Sequence, residues 1–350
     1  MRVLILGQNH SSVMNNLCLG LKLNGIDVGA FSMEYPINRF SNYDHITVFF
    51  NKKRTKIKSL IAIFEIFKFA MRSDQLIVIS SFNFGNRFDK YLTMILSEII
   101  SKKNIIFTGN DIRIPEIEFK INIFYKYAFF NPGYEGKRWE SFESSMKLQK
   151  QFSSLGFKVI GNIETSPFID KENFGNFKLL NHPSLNKISN NSIQKEKENS
   201  DIIKIIHAPS SYFFKGANYV LEAIRELEKR NIKGYEYEVI TGLNHDEYLL
   251  RLMNADILID QLIAGWYGIS AQQALEFNVL TIAYLTSDKL ELMPDCPIVN
   301  ANPNNLVDIL IDLIAKPDLI ESIRKKGNAY YQKYHHPKVV GRELIEILSQ

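Results

Sequence analysis

Short apolar runs alternate along the chain with longer segments of mixed character. RVLILG, IDVGAF, HITVFF, QLIVISS and NIIFTG come first, and IIKIIHA, YEYEVIT, DILID and VLTIAY follow later. Each run is about five residues of mainly β-branched and aromatic side chains, the pattern of strands in βαβ units around a parallel sheet covered on both faces. The series stops once and restarts. In the gap stands NKISNNSIQKEKENSD, residues 186–201, whose only apolar residues are Ile188 and Ile193. Such a stretch has nothing to bury and predicts a linker. It divides the chain into an N-terminal α/β domain over residues 1–185 and a C-terminal one over residues 202–334. A final helix is expected over residues 335–350.

With 350 residues, 45% of them hydrophobic, the chain has enough apolar material for two domains of ordinary size. A net charge of +4 falls short of the concentrated positive field that binding to nucleic acid requires. It suits an acidic or phosphorylated ligand, or an anionic membrane surface. Cys18 and Cys296 lie far apart and make neither a disulfide framework nor a zinc pattern, which predicts a reducing, cytoplasmic setting. The opening MRVLILGQNH has too short an apolar run for a signal peptide and is expected to form a first strand. KIKSLIAIFEIFKFAMR, Lys56 to Arg72, is the most apolar helical stretch, but Lys58, Glu65 and Lys68 interrupt it. The segment from Lys52 to Arg72 carries two readings: peripheral contact with an anionic membrane, or a sheet-covering helix with a solvated basic end. His335 and His336 in YHHP are expected to make a structural turn, with no metal site.

Parallel sheets bind ligands beyond the carboxyl ends of their strands, so the residues just after each apolar run are the candidates. After the first run, GQNHSS offers Asn9 and His10 to a substrate, or Ser11 and Ser12 as caps for the next helix. After NIIF, Gly109 permits a tight turn, Asn110 and Asp111 are turn and cap formers, and Arg113 pairs with Asp111 or meets a phosphate. The aromatic stretch EFKINIFYKYAFFNPGYEGKRW reads as a packed helix pair or a sugar-stacking wall. In HAPSSYFFKG, a loop of small residues ends in Lys215 at the start of a helix. It offers backbone N–H groups, a helix dipole and one cation to a phosphate. In DILIDQLIAGWYGISAQQALEF, Asp260 and Gln261 end a strand, and Gly265 and Gly268 allow close backbone approach to a ligand. The helix that follows is expected to stop at Asn278 in the left-handed conformation.

HAPSSYFFKGANYVLEAI, NADILIDQL, GWYGISAQQALEFNVLTIAY and CPIVNANPNNLVDIL resemble the donor domain of bacterial GT-B glycosyltransferases related to family four. TGNDIRIPE resembles a loop of their acceptor domain. The resemblance implies a GT-B α/β fold of two Rossmann-like domains facing each other across a cleft. Residues 1–185 would bind the acceptor, residues 202–334 the nucleotide sugar, and residues 335–350 would pack back toward the interdomain region. It implies no metal and no cofactor beyond the nucleotide-sugar donor, and the sequence has no DxD motif. His207, Pro209, Ser210, Lys215, Gly216, Gly265, Tyr267, Gly268 and Gln273 fall at donor-binding positions. Asn9, His10, Thr108, Asn110 and Arg113 fall at acceptor-binding ones. Asp111, Asp260 and Lys215 are the candidate catalytic groups.

The family's Glu-x7-Glu motif is degenerate in this chain. Counting from the Asn278 cap, Gln273 stands at the ribose-facing glutamate and Gly265 at the earlier acid. Ser210 replaces the arginine of an Arg-x4-Lys pair whose lysine, Lys215, remains, and Thr108 replaces an acceptor-domain histidine. An amide oxygen still accepts from ribose hydroxyls, with a bond weaker by about 1 kcal/mol, so weaker donor binding without loss of reaction is expected. Gln273→Glu is expected to keep or improve donor affinity. The implied function is transfer of a sugar to a growing cell-surface glycan of polysaccharide, O-antigen or capsule type, with a glycan or lipid-linked glycan as acceptor and no nucleic-acid partner. The implied location is the cytoplasm, at the inner face of the cell membrane. The alternatives are a catalytically inactive nucleotide- or glycan-binding partner subunit and a sugar-nucleotide epimerase.

Overall fold

The apolar runs form two parallel sheets in the computed structural model, which describes residues 1–32, 44–48, 56–80, 87–186 and 202–350. The chain divides into two compact units. The first comprises Met1–Pro115, Arg138–Ser184 and Tyr334–Gln350, and the second Glu116–Lys137 and Leu185–Lys333. Most of the predicted linker, residues 187–201, lies outside the described residues.

In the first unit the chain runs β1 (Arg2–Gly7), α1 (Val13–Leu23), β2 (Asp27–Ser32), β3 (Thr47–Val48), α2 (Lys56–Ala70), β4 (Gln75–Ser80), α3 (Arg87–Ile99) and β5 (Lys102–Phe107). After Glu116–Lys137, which belongs to the second unit and carries most of α4 (Pro115–Ile121) and all of α5 (Tyr125–Phe129), it continues through α6 (Phe142–Ser154), β6 (Lys158–Gly161), α7 (Lys171–Phe174) and β7 (Lys178–Leu179). The strand order is β3-β2-β1-β4-β5-β6-β7, all parallel, with Ile5 opposite both Ala30 and Ile77. The chain leaves β1 toward one edge and returns to cross toward the other. Right-handed crossovers therefore place α1 on one face and α2 and α3 on the opposite face. Helices on both faces are why Val3, Leu4, Ile5 and Leu6 are all buried and the run does not alternate.

The second unit contains β8 (Ile203–His207), α8 (Ala217–Lys229), β9 (Tyr235–Val239), α9 (His245–Met253), β10 (Ile257–Ile259), α10 (Ile269–Glu276), β11 (Leu280–Ala283), α11 (Ser287–Leu292), β12 (Val299–Asn300), α12 (Leu306–Ile314) and α13 (Pro317–Tyr334). Its strands lie in the order β12-β11-β10-β8-β9, again parallel. One face of this sheet presents Ile205, Ile257 and Ile259 to α8 and α12, and the other presents Ile206 and Leu258 to α9 and α10.

The aromatic stretch packs into the second unit. Phe124 meets Tyr284 edge-on at 4.9 Å, Tyr134 stacks on Phe214 at 6.1 Å, and Asn122 donates through Nδ2 to the Ile263 carbonyl at 2.8 Å. The packed-helix reading of this segment is the one realised, although Ile123, Tyr127 and Phe130 stay exposed. The last helix, α14 (Pro337–Leu348), belongs to the first unit and lies on α1. The two helices cross at Gly20 and Gly341, so close that a Cβ on Gly20 would sit 2.3 Å from the Pro337 carbonyl oxygen. Asn24 donates to the Lys338 carbonyl and Gln75 to the Leu348 carbonyl, each at 2.8 Å.

Candidate functional site

Pairing of β8 with β10 sets His207 opposite Ile259, which brings His207 and Asp260 to the same carboxyl edge of the second sheet. The loop after β8 turns back and delivers Lys215 to that edge. Its ammonium donates to Asp260 Oδ1 at 2.8 Å and to Ser270 Oγ at 3.2 Å. The other carboxylate oxygen, Asp260 Oδ2, accepts from the Gly268 N–H at 2.8 Å. One buried carboxylate thus joins the lysine loop, the glycine loop and the start of α10. Lys215 and Asp260 are only 6% and 1% exposed, so each charge relies on the other in place of water. Two of the three ammonium N–H bonds are used in this way.

His207 donates through Nδ1 to the Ile259 carbonyl at 2.7 Å, which fixes its tautomer and leaves Nε2 as an acceptor. Nε2 is buried and has no hydrogen-bond partner among the described residues. Burial, assisted by the neighbouring Lys215 charge, lowers its pKa to about 4, so the ring is neutral. Three amides offered to a phosphate by the sequence reading are committed within their own loop. Lys215 N–H donates to Ser211, Gly216 N–H to Phe213 and Ala217 N–H to Tyr212, at 3.0, 3.1 and 3.0 Å. Gly216 has φ 74°, where glycine is favoured, and Leu262 Cβ would lie 3.1 Å from an added Cβ. Pro209 is half-buried, and Ser210 is exposed on the open side of the loop.

Gly265, with φ 75°, is required for packing: an added Cβ would meet Asn122 Nδ2 at 2.8 Å. Its carbonyl accepts from the N–H and Oγ1 of Thr286 and, at 3.4 Å, from Lys289 Nζ. Tyr267 is buried, with its hydroxyl 3.0 Å from that of Tyr330. The approach to Gly265 and the hydroxyl of Tyr267 are therefore engaged by the protein itself.

Helix α10 ends as the sequence predicts, with Asn278 left-handed at φ 56°. Its Gln273 side chain is turned to Asn186, donating through Nε2 to Asn186 Oδ1 at 2.9 Å. Asn186 in turn donates from its backbone and its Nδ2 to the Glu276 carboxylate, at 3.2 and 2.7 Å. Burial raises the pKa of Glu276 to about 7, against the lowering effect of these bonds. The side chain expected to face ribose thus bonds Asn186.

In the first unit, Asn9 is buried and its Oδ1 accepts from Asn15 N–H at 3.1 Å, supporting the start of α1. Ser12 occupies the cap position with φ 65° and makes no side-chain cap bond, so the serine-cap expectation is corrected in favour of Asn9. The Asp111 carboxylate accepts from Thr108 N–H at 3.1 Å and from Thr108 Oγ1 at 2.9 Å, closing the turn after β5. Arg113 is 1% exposed. It donates to Glu140 Oε1 at 3.0 Å and to Glu164 Oε1 at 2.6 Å, a pairing with two carboxylates distant in sequence. The side chains of His10 and Asn110 lie outside the described residues.

Several residues of these sites carry no signal in the sequence. Ser270 was hidden by its small size, and Glu164 by its distance from the β5 turn. Lys289 sits in SDKLELMPD, which reads as an exposed helix, yet it is 1% exposed. Among the described residues, no group of three His, Cys, Asp or Glu side chains could hold a metal ion.

No family model matches the sequence, and no curated relative does either. Solved structures do resemble it over the whole chain. An α-glucosyltransferase bound to UDP and a DNA 13-mer aligns at TM-score 0.63 and 11% identity, covering 100% of this chain and 99% of that one. Sucrose-phosphate synthase from Thermosynechococcus elongatus gives 0.59 and 11%, and Anabaena HepE with UDP-glucose gives 0.57 and 14%, each covering 100% and 99%. The chain has the α/β fold of these GT-B glycosyltransferases.

Proposed function

We propose that this protein is a glycosyltransferase, moving a sugar from a nucleotide-sugar donor onto a growing cell-surface glycan of polysaccharide, O-antigen or capsule type, without a metal ion. The observation that carries this reading is the buried Lys215–Asp260–Ser270 cluster at the carboxyl edge of the second sheet, where such folds take ligands. Lys215 keeps one N–H bond for a donor diphosphate, and Asp260 fixes the ammonium and the Gly268 amide in position. Such fixed dipoles stabilise a departing diphosphate without reorganising during transfer. The UDP and UDP-glucose held by the similar structures support a nucleotide-sugar donor. A glycan or lipid-linked acceptor, with contact to an anionic membrane through the segment Lys52 to Arg72, completes the reading and places the protein at the inner face of the cell membrane.

The deciding experiment is donor turnover across a panel of nucleotide sugars, with and without glycan acceptors. Absence of both binding and turnover for every donor would sink the proposal. A nucleotide-binding partner subunit without activity is a second reading. It is favoured by the matching of the Lys215 charge by Asp260 and of Gln273 by Asn186. Calorimetric binding of UDP with no turnover in any acceptor mixture would select it. Conversion of the donor without acceptor would select an epimerase.

A further inference from the structure

The first sheet also has a carboxyl edge, where an open parallel sheet takes its ligands. β5, β6 and β7 are neighbours in it, and the turns after them carry Gly109, Glu164 and His182. All three residues belong to the first unit. The turn after β6 is built to hold Glu164. Asn162 Oδ1 accepts from Thr165 N–H at 3.0 Å, Asn162 Nδ2 donates to the Phe107 carbonyl at 3.0 Å, and Ser166 N–H donates to the Asn162 carbonyl at 2.9 Å. Asn162 and Thr165 are buried, so the turn is tied to the end of β5 and has little freedom. The Glu164 carboxylate lies against Gly109, where an added Cβ would meet Oε1 at 2.8 Å and Oε2 at 3.5 Å. A side chain at position 109 would displace it.

Arg113 anchors one oxygen of Glu164 and leaves the other. Of the two carboxylates on its guanidinium, the Glu140 side chain is 0% exposed and that of Glu164 is 28% exposed. One cation with two anions leaves the triad a negative charge, and the member that reaches solvent is Glu164. Its Oε2 has no hydrogen-bond partner among the described residues. His182 follows the neighbouring strand and is half-buried, its backbone carbonyl accepting from His335 Nδ1 at 3.0 Å. No described residue hydrogen-bonds its ring. Burial lowers the His182 pKa, against the raising effect of the Glu164 charge, so the ring is neutral. A neutral imidazole has one nitrogen that accepts and one that donates.

This inventory selects among ligands. A phosphate or carboxylate would set its charge against Glu164, and Arg113, which could offset that, is 1% exposed and already paired with two carboxylates. A cationic amine on Glu164 would lie next to the Arg113 guanidinium. Two adjacent hydroxyl groups fit: one donates to Oε2 in a charge-assisted bond, and the other pairs with the imidazole. We propose that Glu164 and His182 form a subsite for the vicinal hydroxyls of an uncharged saccharide, with Arg113 as the positioning residue for the carboxylate. The subsite gives the acceptor of the proposed transfer its chemical class, a neutral sugar terminus, and rests on that reading for its role.

The test is saturation-transfer NMR of the full chain, without nucleotide, on the methyl glycosides of glucose, galactose, mannose and N-acetylglucosamine. Each is compared with its phosphate ester, its uronic acid and its amino sugar. At least one neutral glycoside is expected to bind, about tenfold or more tighter than its charged counterparts. Glu164→Gln keeps an oxygen for Arg113 but turns an amide nitrogen outward where Oε2 accepted, so a loss of about tenfold in affinity for that glycoside is expected. His182→Phe keeps an aromatic ring without its polar atoms, for a loss of about fivefold. Where Glu164→Gln fails to fold, His182→Phe decides. Binding of none of the neutral glycosides overturns the proposal. So does equal binding of the charged sugars, or wild-type affinity in the folded variants. The melting shift produced by UDP is read on the same samples. Glycoside binding without any UDP effect counts against the proposed function and leaves the subsite standing, and a UDP effect without glycoside binding does the opposite.

Discussion

Lys215 meets Asp260 and Ser270 where little water reaches, so removing either charge strands the other. Lys215→Ala or Asp260→Ala alone is expected to cost about 3–5 kcal/mol in urea unfolding, and the double variant much less than the sum. The lysine variant should also lose donor turnover even where it still folds. Gln273 carries a different expectation from the one its sequence position suggested. Asn186 gives its Nδ2 to Glu276 and its Oδ1 to Gln273, so the residue at 273 has to donate. A glutamate there cannot donate and adds a carboxylate one helical turn from Glu276. Gln273→Glu is expected to destabilise the fold by about 1–3 kcal/mol, measured by urea unfolding. Strand-end logic made Lys215 and Asp260 legible in the sequence, and the Asn278 cap fixed the register of Gln273. The direction of the Gln273 side chain was not legible, because its partner lies 87 residues away. The pairing of Arg113 with Glu140 and Glu164 was hidden for the same reason, since these carboxylates lie 27 and 51 residues further along the chain.

At the scale of elements, the long apolar runs were the readable part, because strands buried on both faces need uninterrupted β-branched residues. β6, with four residues, and β7 and β12, with two each, are too short to show any period. The membership of α5 in the second unit was also hidden, since aromatic density announces packing without naming the surface packed against. The contact of α1 with α14 depends on two glycines far apart in sequence. Gly341→Ala would drive a methyl group to 2.3 Å from the Gly20 backbone, which neither helix can avoid without moving. A loss of about 3 kcal/mol is expected, read as a lowered melting temperature, whereas a serine at exposed Ile95 should leave it unchanged.

For the whole molecule, stability should respond to acid through groups that oppose one another. Burial raises Glu276 from 4.5 to about 7, so its contribution is full below 4.5 and is lost as pH rises through 7. Burial lowers His207 and His335 from 6.5 to about 4, so theirs is full above 6.5 and is lost as pH falls toward 4. Between pH 4.5 and 6.5 the slopes run in opposite senses. Urea unfolding across this window is expected to show a shallow pH dependence in the wild type and a clearly steeper loss with acid in Glu276→Gln. Each tenfold difference in proton affinity corresponds to about 1.4 kcal/mol. The seat of α14 on α1 has a further consequence for synthesis. Residues at the start of the chain wait for residues 337–348 before the groove at Gly20 is filled. The second unit therefore emerges from the ribosome before the first has its last helix, leaving the α1 face open to chaperones through most of translation.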